Sequence, residues 1–211
     1  MIRLVAFAAA LVAFTNAAHA ETMPPRDECG GVEGAEAFRM TLTTAVANRD
    51  EERLLALAAP DVLLDFGGGS GREVLRERLD GAENLWAELD ELLVLGCAAL
   101  DEGGLSLPYY FSQDFGDRDA FETYLVQGTR VPLYAASDGD RVVRYLDWEI
   151  VALDRYPGGD PAAGIRSEVA LADGSRGFVE AATLRSLVDY RLFAMPGDDG
   201  RLRMTVLVAG D

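Results

Sequence analysis

From Ala35 onward, apolar residues recur at helical spacing. Phe38, Leu42 and Val46 stand four apart with polar positions between them, which predicts an amphipathic helix. Asn48-Arg49-Asp50 interrupts the pattern, and Asp50 is placed to cap a short second helix carrying Leu54, Leu55 and Leu57, which Pro60 ends. Val62-Leu63-Leu64-Asp65-Phe66 reads as a strand running into Gly67-Gly68-Gly69-Ser70-Gly71. That glycine loop fits neither G-x-G-x-x-G nor the P-loop. Ser70 and Glu73 read instead as an S-x-x-E capping box opening a helix to Leu79. A third long helix sets Leu85, Leu89, Leu92 and Leu93 on one face beside Trp86 and stops at Gly96. A strand over about residues 105–111 follows, with Tyr109-Tyr110-Phe111 expected in the core.

Asp114-Phe115-Gly116-Asp117-Arg118-Asp119 reads as a linker, and beyond it the texture changes. Short β-branched and aromatic runs at residues 129–134, 142–145, 148–153, 168–171 and 177–180 are separated by Gly, Asp and Pro turns, the pattern of a small barrel. Residues 190–195 and 201–208, joined by Pro196-Gly197-Asp198-Asp199-Gly200, read as a closing hairpin. The fold class expected is α+β, divided into an arm at 21–34, a helical module at 35–122, a barrel at 123–187 and a hairpin at 188–211 that packs on one of them.

Residues 1–20 change where the protein is expected to work. A basic start at Arg3, an apolar run and Ala18-His19-Ala20 form a secretory leader with an A-x-A cleavage site. Its apolar run falls short of the roughly 20 residues of a spanning helix, so a periplasmic or secreted protein, not inserted in the membrane, is expected. His19 is the only histidine of the 211 residues and there is no lysine. Cleavage therefore leaves a chain without Ser-His-Asp or Cys-His catalysis, histidine-ligated metals or Schiff-base lysines. The 36 acids against 19 arginines give a net charge of −17, a field that repels nucleic acid and anionic lipid. Cys29 and Cys97, an even pair in an oxidising compartment, are expected to form a disulfide that pins the arm.

Asp173-Gly174-Ser175-Arg176-Gly177-Phe178-Val179-Glu180-Ala181-Ala182-Thr183-Leu184 resembles the last turn, strand and helical turn of bacterial Src-homology-3-type barrels. Val131-Pro132-Leu133-Tyr134 stands where that family opens, with Tyr134 and Ser137 in place of its Arg and Pro. The resemblance spans about residues 128–184. It implies an SH3-like β-barrel holding a peptide, a cell-wall fragment or a protein partner. It also implies that Phe178 lies in the barrel core. Residues 36–80 and 188–208 resemble, more distantly, the first and last elements of nuclear-transport-factor-2-like cone folds, which implies a barrel inserted into a cone domain.

The chemistry left open rests on carboxylates, tyrosines and arginines. Asp61, Asp65, Tyr109 and Tyr110 are the groups eligible for an isomerase or hydrolase site in a cone-like pocket. Asp147 and Glu149 flank Trp148, but i and i+2 in a strand share a face with Trp148 opposite, which argues against a glycosidase pair. Asp114, Asp117, Asp119, Asp138 and Asp140 lack the D-x-[DN]-x-[DN]-G pattern with a distal Glu and read as turn acids, so no metal and no cofactor are expected. The remaining candidates are barrel aromatics: Tyr134, Tyr145, Trp148 and Tyr156. The expected function is a non-catalytic binding protein that uses them as its ligand-contacting residues.

Overall fold

The computed structural model describes residues 21–153 and 164–210. The leader at 1–20 and Tyr156 lie outside the described residues.

Helix α1 (Ala35–Asn48) buries Ala35, Phe38, Leu42, Ala45 and Val46, the stripe its spacing implied. It ends where Arg49 turns left-handed and returns its N–H to the carbonyls of Ala45 and Val46. Asp50 then caps α2 (Glu51–Leu57), its carboxylate accepting from the Arg53 amide at 3.1 Å. Helix α2 stops three residues before Pro60, which sits inside strand β1 (Ala58–Leu63). That strand is a sheet edge, where a missing N–H is tolerated. Helix α3 (Arg72–Leu79) starts differently from the expected capping box. Gly71 is its N-cap without a side-chain bond, Ser70 bridges back to Leu63, and Glu73 pairs with Arg76. Helix α4 (Leu85–Val94) buries Leu85, Trp86, Leu89 and Leu92. Its chain turns away at Gly96 (φ +83°), where an added Cβ would lie 2.2 Å from the Arg26 carbonyl.

The four helices pack on a five-stranded sheet ordered β1-β12-β11-β3-β2. Here β2 is Ala98–Ala99, β3 Leu105–Leu107, β11 Arg191–Pro196 and β12 Leu202–Val208. The hairpin β11–β12 therefore lies in the same sheet as β1, which runs parallel to β12. Strand β3 is shorter than its sequence pattern: the Leu107–Pro108 peptide is cis, and Tyr109–Ser112 form a 3-10 turn instead of a strand end.

Residues between β3 and β11 build a second, antiparallel sheet of seven strands ordered β10-β4-β7-β8-β9-β5-β6. These are β4 (Thr123–Val126), β5 (Val131–Tyr134), β6 (Val142–Leu146), β7 (Ile150–Ala152), β8 (Arg166–Ala170), β9 (Arg176–Glu180) and β10 (Leu184–Ser186). One face of all seven contributes to a core containing Val126, Leu133, Leu146, Val151, Val169 and Val179, with Leu184 packed against it. The strand order is open at β10 and β6, so no closed barrel forms among the described residues. The expected core position of Phe178 shifts by one: Val179 is buried, and Phe178, opposite Tyr134, stands on the outer face. None of the described helices is long and apolar enough to cross a membrane.

The two sheets meet through Leu95, Tyr110, Leu125, Ile150 and Leu187, with Met23, Phe115 and Trp148 packed around them. The arm spans this junction. Ile150 N–H donates to the Glu21 carbonyl (2.9 Å) and Met23 N–H to the Trp148 carbonyl (2.7 Å). Farther along, Cys97 N–H donates to the Arg26 carbonyl (2.7 Å), and the buried Cys29–Cys97 disulfide fixes its end.

Candidate functional site

The outer face of β5, β6 and β9 is the surface on which the sequence's aromatic candidates converge. Strand alternation puts Val131 and Leu133 into the core and turns Pro132 and Tyr134 outward. Pairing then sets Tyr145 opposite Pro132, and Phe178 opposite Tyr134, on that same face. Arginines lie on two of the rings. The Arg166 guanidinium stands 3.4 Å from the Tyr134 centroid and Arg130 stands 4.6 Å from that of Tyr145. Arg166 is held in turn by Glu180 (2.8 Å) and the Gly139 carbonyl (2.6 Å). Tyr145 remains 48% exposed.

Trp148 does not join this face. Residues 147–148 form a bend where the strand was expected to begin, Glu149 bridges to Thr22, and Trp148 takes a left-handed φ of 50°. Its ring packs on the junction cluster. The bend also separates its two neighbours. Asp147 is exposed and accepts the Arg130 amide at 2.7 Å. Glu149 is buried, both carboxylate oxygens within 2.8 Å of one Arg144 nitrogen.

The acid and tyrosine candidates of the first module are dispersed. Asp61 is exposed on β1. Asp65 accepts from the amides of Gly67 (2.7 Å) and Gly69 (2.8 Å) and pairs with Arg78. The glycine loop thus wraps a carboxylate of its own chain. A Cβ at Gly69 would lie 2.0 Å from the Asp65 carboxylate, which explains a glycine there. The Gly69 amide and the Arg78 guanidinium hold the Asp65 carboxyl below the ordinary value of 3.8. Tyr109 is buried and its hydroxyl reaches Gln113 at 3.3 Å. Tyr110 is buried, accepts from Arg185 Nε at 3.0 Å and donates to the Ser186 carbonyl at 3.4 Å; burial pushes its hydroxyl up to about 12. Among the described residues Glu149 is the one buried acid, and it lies in the second sheet, not beneath the helices.

Two clefts open elsewhere. One of about 560 Å³ lies between the start of α1 and the β11–β12 turn, lined by Glu33, Phe38, Leu57 and Arg201 among others. A smaller one of about 200 Å³ flanks β7 and β8, lined by Glu122, Ile150, Ala152 and Ala170 among others. Neither contains the candidate tyrosines, Trp148, Asp61 or Asp65. The turn acids serve their own loops: Asp114 accepts from Gly116 N–H and Asp119 from Phe121 N–H, both at 2.8 Å.

Sequence reasoning missed Arg185. Its side chain is 1% exposed on β10, where it reaches Tyr110, the Tyr190 carbonyl (3.1 Å), Glu91 (2.5 Å) and Asp189 (3.6 Å). A lone arginine in a short run carries no sequence signal of burial, since arginine is mostly a surface residue. No family model matches this chain, and no curated protein matches it either.

Proposed function

We propose that this is a non-catalytic binding protein, exported to the periplasm by its first twenty residues. In this reading the second sheet is a bacterial Src-homology-3-type module, and its outer face holds a peptide, a cell-wall fragment or a protein partner. The observation that carries it is the gathering of Tyr134, Tyr145 and Phe178 on neighbouring strands, with Arg130 and Arg166 stacked on two rings. Aromatics of this kind offer a large contact area at low entropic cost. An enzyme built on Asp65 or Tyr110 finds no support, because both groups are engaged in holding loops and modules together.

The test is a peptidoglycan pull-down with the wild type and with Tyr134→Ala, Tyr145→Ala and Phe178→Ala. Each substitution should weaken binding by at least ~1 kcal/mol while leaving the fold intact. Trp148→Ala should lower the melting point through the junction cluster instead. Unchanged retention of all three face variants overturns the assignment of this surface. A turnover activity lost in Asp65→Asn replaces the binding reading with the enzyme.

A further inference from the structure

Strand β6 closes one side of the second sheet: β5 pairs with one of its edges, and no described strand pairs with the other. A free edge is a template for another chain. Around it the sequence runs Asp140-Arg141-Val142-Val143-Arg144-Tyr145-Leu146-Asp147. Val143 and Tyr145 are each 48% exposed. Among the described residues Arg141 has no ion pair, and Asp147 accepts the Arg130 amide but no side-chain cation.

We propose that β6 pairs antiparallel with β6 of a second copy, about a twofold axis through Arg144. The strand is self-complementary in that register. Arg141 falls opposite the partner's Asp147, and Val143 falls opposite the partner's Tyr145, each twice by symmetry. Opposed charges and aromatic–β-branched pairs are the cross-strand combinations that stabilise a sheet. Arg144 meets its own copy on the axis, a like-charge contact that Glu149 and Asp173 (3.6 Å) offset within each chain. The contact is isologous and closes at two copies.

Two features set its strength. The β5–β6 register steps between Arg144 and Val142, a bulge, and bulges blunt an edge. The net charge of −17 also makes two copies repel until salt screens them. The dimer is therefore a weak one that strengthens at moderate ionic strength. It does not depend on the binding reading above.

Sedimentation equilibrium of the full chain at roughly 0.15 M salt, over about 1 µM to 1 mM protein, reads the association directly. The weight-average mass should climb from 22.7 kDa toward twice that value. Arg141→Asp and Asp147→Arg should each raise the dissociation constant about tenfold, since two attractive pairs become repulsive, and the double swap should restore it. Arg141→Asp removes no side-chain hydrogen bond or ion pair among the described residues, so it keeps the test readable if the Asp147 variant melts early. A single-chain mass throughout overturns the proposal. So does a dimer indifferent to these substitutions, or a monomer that instead captures an extended acidic peptide along β6.

Discussion

Replacing Arg185 by Ala tests whether one buried cation fastens the two sheets. Removing one partner of a buried ion pair costs about 3–5 kcal/mol, but the acids around Arg185 are not fully buried. Glu91, Glu88 and Asp189 retain 54%, 26% and 33% side-chain exposure, so they regain water and most of their charge penalty disappears. What remains are the bonds to the buried Tyr110 hydroxyl and the Tyr190 carbonyl, each worth about 1.5–3 kcal/mol because the donor is charged. Taking the lower end for both gives a loss of about 3 kcal/mol. At about 2–4 °C per kcal/mol for a chain of this size, the melting point should fall by about 6–12 °C. Arg185→Lys keeps the charge but not the planar fork and should fall between the two. Calorimetry of the three proteins in one buffer is the assay. A melting point for Arg185→Ala within about 1 °C of the wild type refutes the reasoning.

Three further outcomes follow from the same geometry. Cys29→Ala/Cys97→Ala opens a loop with a sequence separation of 68 and should cost about 4 kcal/mol in the chain-entropy treatment; a labelled thiol in the denatured, unreduced wild type would contradict the staple. Burial raises Tyr110 and Tyr190 from 10.0 to about 12. The stability of their neutral forms is thus full below about pH 10 and lost as pH rises through about 12. Tyrosinate absorbance should show late titration, with one late-titrating group fewer in Tyr110→Phe. Asp65 titrates below 3.8 in the fold, so its stabilisation is present above that pH and fades as pH falls through the folded value. An acid-unfolding curve for Asp65→Asn as steep as that of the wild type would rule this contribution out.

Elements fixed by local chemistry were legible in the sequence. The α1 stripe and the Asp50 cap each depend on residues within a turn of one another, while the Gly96 stop was legible from the glycine itself although the Arg26 carbonyl that crowds it is distant in sequence. Strands were harder. Thr123-Tyr124-Leu125-Val126 is buried on both faces, inward on the sheet core and outward on the junction, so it lacks the alternation that marks a strand. In Gly177-Phe178-Val179 a period of two names two faces but not which is inside, and the smaller Val179 took the core. The bend at 147–148 and the 3-10 turn at Tyr109 follow from tertiary surroundings that neither run encodes locally. Of the binding candidates, Tyr134 and Tyr145 came together because their strands pair, while Trp148 was claimed by the junction.

The polypeptide leaves the first sheet after β3 and re-enters it at β11, and those two strands are neighbours, Leu107 lying opposite Leu192. The second sheet is therefore hung from the first like a pendant on two adjacent threads, an attachment that by itself leaves its bearing open. Arg185 supplies one side stay. The other is residues 21–23, lashed to 148–150 at one end and anchored through Cys29 at the other. Clipping those few residues should leave both sheets folded yet widen the distribution of their mutual orientation. Fluorescent labels placed one on each sheet would register that as a broadened distance histogram.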